Sequence, residues 1–409
     1  MKAGWKTVKL ADVAEMRPPK SEAKLKGLKP TDEVGFLPME DLTQFQKHAK
    51  ALKTRTMSEV SNSYTYFANG DVLMAKISPC FQNGKMGIAT GLPNGVGYGS
   101  SEYFVFRPSK ELSAEWLFYY LQDPAFRRHA TGKFSGNVGQ QRLPKELIEE
   151  LEIPLPPLAE QKRIVALLDE AFAGIDEAKA KAVDNVLGAK RALQSILETS
   201  LSPTAAGWTE RKLDDLCVIK GRIGYRGYTK NDLVEKGQGA ISLSPSNIKQ
   251  NRFVADDCTY ISWFKYNESP EIMIFEGDIL FVKTGSTFGK VAIAKDLPEK
   301  ATINPQFVVL KEMKCNNWFL YYSMTSNTFR EKVEGIVGGA ATPTLSQANL
   351  GELTIHVPPM RIQETIVNQL DAAHVATTSL GNLYEQKIKS IRELRASLLA
   401  QAFAGKLTA

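Results

Sequence analysis

Two stretches of this chain carry apolar residues at alternating steps of three and four, with polar residues between them. The first stretch lies between Pro156-Pro157 and Pro203, and the second follows Pro359 and continues to about Ala404. In a helix this spacing places the apolar side chains along one narrow seam, as in a coiled coil. The pattern therefore predicts two long helices, the first about 66 Å in length, and we expect them to pair antiparallel.

The predicted seam is more regular in the first helix than in the second. Its positions are Val165, Leu168, Phe172, Ile175, Val186, Leu193 and Ile196 in the first helix, and Ile366, Leu370, Leu380, Tyr384, Ile388, Ile391 and Leu398 in the second. His374, Thr377 and Gly381 lie near the second seam and make it less regular. The alternative is that each helix packs alone on its own domain, but a narrow seam favours a partner helix.

Each long helix follows a region of short β-branched and aromatic runs that are bounded by Gly, Asn and Pro. Such runs are typical of strands. The predicted strands are 64–67, 71–75 and 103–106 in the first region, and 272–275, 278–282 and 306–310 in the second. One short helix is predicted in each region, at 114–121 and at 317–324.

The second half of the chain repeats the first at an offset of about 202 residues. The matched segments are 151–161 with 353–363, Ile164-Val165 with Ile366-Val367, Leu168-Asp169 with Leu370-Asp371, Gly4-Trp5 with Gly207-Trp208, 70–73 with 277–280, and Trp116 and Tyr119-Tyr120 with Trp318 and Tyr321-Tyr322. A repeat this long indicates a duplicated domain with its helix. We therefore expect an α+β chain with a pseudo-two-fold internal duplication. Two similar α/β domains would be separated by two long antiparallel helices that form a coiled coil.

The predicted boundary between the halves is the segment 200–207, where small residues and Pro203 end the first helix. The predicted domains are 1–153 and 204–355. The predicted helical spacers are 154–203 and 356–409.

Composition indicates a soluble globular protein. The chain has 409 residues, of which 43% are hydrophobic and 23% are charged. We find no apolar run of transmembrane length, and the first six residues lack the apolar core of a signal peptide. We therefore expect a cytoplasmic protein without membrane contact. The net charge of +6 permits a nucleic-acid partner, but many ordinary proteins are mildly basic.

Patterns of catalytic residues are missing from the sequence. The four histidines do not follow an HExxH or other metal-ligand spacing, and the four cysteines are scattered. The segment 285–290 resembles a phosphate-binding loop but has one residue too few between its glycines, and Val291 stands where Ser or Thr would bind magnesium. We therefore expect that the chain is not an enzyme and that it holds no metal or cofactor.

A second motif, Asn304-Pro305-Gln306-Phe307, resembles the Asn-Pro-Pro-aromatic motif of amino-methyltransferases. Its duplicate, the segment 101–104, lacks the motif, and no glycine-rich turn for the methyl donor precedes either copy. We interpret it as the entrance to a strand.

Polar loops of the duplicated regions are the candidates for nucleic-acid contact. Segments 76–85 and 283–290 are bracketed by lysines and rich in amide or hydroxyl groups, and segments 132–142 and 338–347 precede the long helices. The loop 220–228 occurs only in the second half and interleaves cations, glycines and tyrosines. Lysines attract phosphates, while amides and hydroxyls contact bases or phosphates.

The residues predicted to contact DNA belong to these loops. They are Lys76, Ser78, Gln82, Asn83, Lys85, Ser135, Asn137, Gln140, Arg142, Arg222, Tyr225, Arg226, Lys283, Thr284, Ser286, Thr287, Lys290, Thr342, Thr344 and Ser346.

The segment Pro-Pro…Glu-Gln…Ile-Val…Leu-Asp occurs twice, beginning at Pro156 and at Pro358. With the helix endings at 195–201 and 397–407, it resembles the specificity subunit of type I restriction-modification systems. The likeness covers the whole chain, although Ile362 stands where the first copy has Glu160.

The resemblance implies a non-catalytic DNA-binding subunit with two target-recognition domains. Each domain would bind one half of a split, asymmetric site in double-stranded DNA. The coiled coil would set the spacing and dock two adenine-methylating modification subunits. A separate ATP-dependent restriction subunit would add cleavage, so the methyl donor, magnesium and ATP would belong to these partners.

Three alternatives stay open at this point. The chain could be a coiled-coil interaction scaffold without DNA binding, or a specificity subunit of a related two-part system that lacks the nuclease. A protein fused to a methyltransferase is disfavoured by the missing methyl-donor motif.

Overall fold

The computed structural model describes residues 4–137, 141–203, 207–249, 251–254, 257–337 and 343–407. The chain divides into two compact units. Unit 1 comprises Met1–Val183 and Glu385–Ala409, and unit 2 comprises Asp184–Tyr384. Each unit therefore contains one strand-rich region and part of both long helices.

The described elements of unit 1 start with a strand near the N-terminus and lead into the first long helix. The strands are β1 (Lys6–Lys9), β2 (Ala14–Met16), β3 (Glu33–Leu37), β4 (His48–Lys50), β5 (Lys53–Thr56), β6 (Thr65–Ala68), β7 (Val72–Ala75), β8 (Met86–Thr90), β9 (Val96–Gly99), β10 (Tyr103–Pro108) and β11 (Glu152–Leu155). The helices are α1 (Leu10–Val13), α2 (Ser21–Leu25), α3 (Met57–Val60), α4 (Ala114–Tyr120), α5 (Pro124–Thr131), α6 (Lys145–Glu149) and α7 (Leu158–Leu201).

The described elements of unit 2 repeat this order. The strands are β12 (Thr209–Lys212), β13 (Val218–Gly221), β14 (Leu233–Val234), β15 (Gly239–Leu243), β16 (Ile248–Lys249), β17 (Arg252–Phe253), β18 (Thr259–Ser262), β19 (Met273–Ile274), β20 (Ile279–Val282), β21 (Val291–Ile293), β22 (Ala301–Ile303), β23 (Phe307–Lys311) and β24 (Thr354–Val357). The helices are α8 (Leu213–Leu216), α9 (Trp263–Asn267), α10 (Asn317–Thr325), α11 (Asn327–Val337), α12 (Gln347–Gly351) and α13 (Met360–Phe403).

Sheet topology confirms the predicted duplication. Unit 1 has a sheet of order β2-β10-β7-β8-β4, and unit 2 has β13-β23-β20-β21. A second sheet has the order β5-β3-β9-β6 in unit 1 and contains β18-β15-β22-β19 in unit 2. In both second sheets one central pair is parallel, β3 with β9 and β15 with β22. The α+β fold with two similar regions and two long helices is therefore confirmed.

The repeated Gly-Asp motif is explained by a buried ion pair next to the central strand. In unit 1, Asp71 accepts hydrogen bonds from Arg107 at 2.8 and 2.9 Å. In unit 2, Asp278 accepts one from Lys311 at 2.5 Å. Both carboxylates also accept a backbone N–H of the preceding turn, from Ala68 and from Phe275. The aspartate thus closes the same turn in each copy.

The repeated glutamine of the helix starts joins each long helix to the short helix before it. Gln161 is buried, accepts a hydrogen bond from Ser113 N at 2.8 Å and donates to Pro156 O at 2.9 Å. Gln363 does the same with Asn316 N and Pro358 O, both at 2.8 Å. Ser113 and Asn316 are the N-caps of α4 and α10.

These caps correct the predicted match of aromatic residues. With Ser113 equivalent to Asn316, Trp116 corresponds to Phe319 rather than to Trp318. The ring contacts support this match. The ring centroids of Trp5 and Trp116 are 5.6 Å apart, and those of Trp208 and Phe319 are 6.3 Å apart. The helix therefore shifts by one residue relative to the match made on sequence letters alone.

The long helices pack against each other within each unit. In unit 1, residues Leu168 and Phe172 of α7 share a hydrophobic core with Ile391 and Leu399 of α13. The Arg395 guanidinium lies 3.9 Å from the centroid of the Phe172 ring. In unit 2, Leu197 of α7 shares a core with Ile366, Val367 and Leu370 of α13. Both arrangements agree with antiparallel pairing, and a continuous coiled coil stays a prediction.

The buried stripe differs from the predicted seam at Ile196, Leu380 and Leu398. Ile196 is 39% exposed, and Leu197 takes the buried position at 6%. Leu380 is 42% exposed, and Leu399 is more buried than Leu398. The one-residue shifts from Ile196 to Leu197 and from Leu398 to Leu399 are of the kind expected where a helix keeps 3.6 residues per turn, whereas a strict seam repeats every 3.5. The predicted boundaries at 153 and 355 stay predictions, and β11 and β24 both run past them.

Candidate nucleic-acid interface

Three chain segments meet at the end of the central strand β7 in unit 1. Lys76, the first residue after β7, donates its backbone N–H to Glu102 O at 2.9 Å and accepts from Leu143 N at 2.8 Å. Ser78 N donates to Gln141 O at 2.8 Å, and Ile77 forms a β-bridge with Arg142. The predicted loops 76–85 and 132–142 are therefore joined at one place, which we call the unit 1 junction (Lys76, Ile77, Glu102 and Arg142).

The side chains of the unit 1 junction are mostly charged. Arg142 donates from Nε and Nη2 to the Glu102 carboxylate at 2.9 and 2.8 Å. This hydrogen bonding lowers the pKa of Glu102 below its usual value. Lys76 is half-buried, with Nζ 6.0 Å from the centroid of the Phe104 ring. Burial lowers the pKa of Lys76; Glu102 opposes this effect, and the nearby Arg17 and Arg142 add to it.

Arg17 is a basic residue of this region that the sequence analysis missed. It follows β2, is exposed, and donates its backbone N–H to Val105 O of β10 at 2.8 Å. Its counterpart in unit 2 is Lys220, which pairs with Val309 of β23. The signal was present, because the offset between Gly4-Trp5 and Gly207-Trp208 also relates Arg17 to Lys220.

The rest of loop 76–85 divides into exposed and structural residues. Gln82 and Asn83 are exposed, whereas Phe81 is fully buried. Lys85 donates from Nζ to Met39 O at 2.6 Å, so this lysine holds the loop in place. Gly84 has a φ of +73°, and a Cβ there would lie 2.1 Å from the Phe45 ring.

The remaining predicted residues of unit 1 lie on the adjoining segment. Ser135 exchanges backbone hydrogen bonds with Arg142, at 3.1 and 2.8 Å, and both Ser135 and Asn137 are exposed. Gln140 lies outside the described residues.

Unit 2 builds the same junction with different side chains. Lys283 donates its backbone N–H to Gln306 O at 2.8 Å and accepts from Leu345 N at 2.9 Å. Thr284 forms a β-bridge with Thr344, and their hydroxyl oxygens are 2.7 Å apart. These residues, Lys283, Thr284, Gln306 and Thr344, form the unit 2 junction.

The junctions also correct the predicted duplicate of the Asn-Pro-Gln-Phe segment. Phe307 pairs with Val282, and Tyr103 pairs with Ala75. Tyr103 is therefore the equivalent of Phe307, and Glu102 is the equivalent of Gln306. The match at 101–104 was displaced by one residue.

The other predicted residues of unit 2 include two with structural contacts. Lys290 donates from Nζ to Ile248 O at 3.3 Å, and Ser346 caps α12 by accepting from Asn349 N at 3.0 Å. Ser286 is exposed and Thr287 is half-buried. Thr342 lies outside the described residues.

Arg222, a predicted DNA-contact residue of the third loop, is buried in the structure. It is 7% exposed and donates from Nε to Ile303 O at 3.1 Å. Its guanidinium lies 5.2 Å from the centroid of the Tyr228 ring, and burial lowers its pKa. Arg222 directly follows strand β13, and its side chain lies inside the domain. Arg226 is half-buried and pairs with Glu271 at 3.2 Å. Tyr225 belongs to the turn Gly224–Arg226, and its side chain lies outside the described part.

Metal-binding clusters and membrane-spanning helices are both missing from the described part of the chain. Within residues 4–407, apart from the gaps given above, no cluster of three His, Cys, Asp or Glu residues is placed to hold a metal ion. Over the same residues, no helix combines the length and apolarity needed to cross a membrane.

The profile of the type I restriction modification DNA specificity domain matches the chain twice, at residues 2–184 and 206–390. The chain belongs to this family. The two matches agree with the two strand-rich regions and with the two junctions described above.

Curated relatives carry the same family description. The specificity subunit of the type I restriction enzyme EcoAI of Escherichia coli is 30% identical over 48% of this chain and 33% of that protein. The EcoEI specificity subunit of Escherichia coli is 30% identical over 48% of the chain and 32% of that protein. The MjaVIII specificity subunit of Methanocaldococcus jannaschii is 21% identical over 71% of the chain and 70% of that protein. The matches to the first two relatives thus span about a third of their length.

Solved structures share the fold over the full chain. A chain from a study described as "Structural basis underlying complex assembly and conformational transition of the type I R-M system" has a TM-score of 0.82, with 99% of each chain covered and 17% identity. The HsdS subunit of Thermoanaerobacter tengcongensis has a TM-score of 0.60, with 99% of this chain and 98% of that chain covered and 18% identity. At these identities the likeness concerns the fold.

Proposed function

We propose that the chain is the DNA-binding specificity subunit of a type I restriction-modification complex and binds a split, asymmetric site. The observation that carries the proposal is the duplicated junction. The same backbone hydrogen bonds join the loops at Lys76 and at Lys283, while the surrounding side chains differ. Two similar frames with different side chains suit one protein that binds two different half-sites.

The composition of the junctions supports DNA rather than a protein as the ligand. Each places a lysine beside exposed or half-buried amide, hydroxyl or guanidinium groups. Cations bind the phosphate backbone, and planar amide and guanidinium groups match the edges of bases in the major groove. Members of the family named above are specificity subunits, which gives this chemistry a context.

The proposal assigns no catalytic step to this chain. Methyl transfer would take place on two modification subunits docked on α7 and α13, and cleavage would require an ATP-dependent restriction subunit. Magnesium, ATP and the methyl donor would bind to those partners. The chain would supply sequence choice and the spacing between half-sites.

The experiment is a methylome. DNA from cells that express the chain with a type I modification subunit should carry methylated adenines in one motif of two short half-sites with an unspecified gap. A continuous motif, or a motif that is the same without this chain, would contradict the proposal.

A salt titration distinguishes DNA binding from a scaffold role. Affinity of the purified chain for duplex DNA should fall steeply as salt rises, because binding releases counterions from the phosphates. A scaffold without DNA binding would show no such dependence.

A further inference from the structure

The two junctions differ in a regular way when they are compared position by position. At two positions both copies have a cation, and at three positions the chemistry changes. The cationic positions are Arg17 with Lys220 and Lys76 with Lys283, and the changed positions are Ile77 with Thr284, Glu102 with Gln306, and Arg142 with Thr344.

The constant cations suit a contact that does not depend on sequence. Arg17 and Lys220 are exposed, and both are held by backbone pairing to the strand next to the junction. Phosphates are the same at every base pair, so a side chain that binds them does not have to change between two half-sites.

The changed positions suit a contact that does depend on sequence. In unit 1 two of the changed residues, Arg142 and Glu102, form an ion pair, and their side chains are 49% and 22% exposed. In unit 2 the same positions carry an amide and hydroxyl groups. Gln306 is half-buried and Thr344 is exposed, so a ligand can reach both. A surface ion pair adds little to stability, so folding alone gives little reason for the Arg142–Glu102 geometry.

Resting on the proposed function, we propose that Glu102 with Arg142 selects a G·C base pair in one half-site, and that Gln306 with Thr284 and Thr344 selects an A·T pair in the other. Arginine donates to guanine O6 and N7, and a carboxylate accepts from cytosine N4. The two groups of the ion pair therefore match the two bases of one pair. A glutamine amide donates to adenine N7 and accepts from N6, and threonine methyl groups pack against the thymine methyl.

Glu102 has a second effect in this scheme, because it holds the Arg142 guanidinium in one orientation by two hydrogen bonds. An arginine fixed in this way loses less side-chain entropy when it binds guanine. Arg17, Lys76, Lys220 and Lys283 would hold the adjacent phosphates.

The test exchanges the chemistry of the two junctions within the full chain. The triple variant Ile77→Thr, Glu102→Gln and Arg142→Thr gives the unit 1 junction the side chains of the unit 2 junction at the three changed positions, and Thr284→Ile, Gln306→Glu and Thr344→Arg does the reverse. Each variant is expressed with a type I modification subunit, and its methylated motif is determined.

The first exchange should change one G·C position of one half-site to A·T, with a preference of about five- to a hundredfold. The second should change one A·T position of the other half-site to G·C. In both cases the untouched half-site and the gap stay as in the parent, which also shows that the variant is folded.

Charge controls separate the two roles. Arg17→Gln should weaken binding to all DNA sequences alike. It should reduce the slope of log affinity against log salt concentration by about one, without a change of motif. Lys110→Gln removes the same charge two residues beyond β10, a strand about 20 Å long that separates it from Glu102. This variant should leave both the salt slope and the motif unchanged.

The outcomes distinguish this inference from the proposed function. If the parent chain specifies no split motif, the proposed function fails. If the parent motif is split but neither exchange alters the predicted base pair, the assignment of these residues is wrong while the function stands. If one exchange abolishes methylation, the other decides, because the inference requires a base change in the half-site of its own unit.

Discussion

Gln161 and Gln363 are the residues that best explain why the helix motif of the repeat recurs. Each side chain is buried, accepts a hydrogen bond from an N-cap amide of the short helix and donates one to a proline carbonyl. A polar side chain buried in this way is tolerated because its partners satisfy it. The glutamine therefore fixes the strand-rich region to the start of the long helix.

Replacing Gln161 by Leu should lower the free energy of unfolding by about 1–3 kcal/mol for each polar group left without a partner. Gln363→Leu should lower the free energy of unfolding by a similar amount. Denaturant unfolding of the full chain measures the change. The matched control is Gln369→Leu, because Gln369 is exposed on the same helix as Gln363. Equal stability of Gln161→Leu and the parent would contradict the role given to this side chain.

Gln82 provides a second prediction at this scale. The side chain is exposed on the loop next to the unit 1 junction, so Gln82→Ala should leave unfolding unchanged. If it contacts a base, sequence choice should relax at one position by about 1–3 kcal/mol. Binding selections on a pool of duplexes measure this effect. Relaxed choice in both half-sites would show that the loop does not act on one half-site alone.

The burial of Arg222 could not be predicted from the local sequence. Arg222 stands in a Gly- and Tyr-rich loop that is typical of an exposed ligand contact, yet its guanidinium bonds to the carbonyl of Ile303. That partner is 81 residues away along the chain. A contact of this length depends on strand pairing, which local composition does not reveal.

At the scale of elements, the long helices were the part most easily predicted. α7 and α13 begin directly after a proline pair, are 44 residues long each, and carry apolar residues at steps of three and four, more regularly in α7. Both signals are local and strong. The match of α4 with α10 was displaced by one residue, because Trp-x-x-Tyr-Tyr occurs in both while the caps Ser113 and Asn316 set the true register.

The junctions themselves could not be predicted from the sequence. The loops 76–85 and 132–142 were selected by composition, but their union depends on the bridge between Ile77 and Arg142 and on the hydrogen bond from Leu143 N to Lys76 O. The pairing of β7 with β10 places Glu102 next to Lys76, and the bridge brings Arg142 to Glu102 from 40 residues away.

Neighbouring leucines on α7 test the buried stripe. Leu168 is fully buried and Leu167 is 41% exposed. Leu168→Asp should lower stability by several kcal/mol, because it buries a charge without a partner, whereas Leu167→Asp should have little effect. Thermal unfolding of both full-length variants measures the difference.

The same comparison applies at the other end of α7. Leu197→Asp should destabilise the chain more than Ile196→Asp, since Leu197 is buried. The opposite order would restore the seam expected from strict three-four spacing and contradict the packing described here.

At the scale of the whole molecule, the duplication is the feature that joins fold and function. Each unit contains one sheet system, one junction and parts of both long helices. Two copies with equivalent backbones and different junction side chains agree with the proposal of two half-sites. The sequence predicted this organisation, because the repeat is visible in the helix starts. It did not reveal which loop residues lie at the junctions.

The measurement that tests this account most directly is the methylome of a chain in which residues 1–150 are exchanged for the same region of a relative. The exchanged region contains the unit 1 junction, and the unit 2 junction is untouched. The account predicts that one half-site changes, while the other half-site and the gap stay as in the parent. A motif in which both half-sites change, or a continuous motif without a gap, would contradict it.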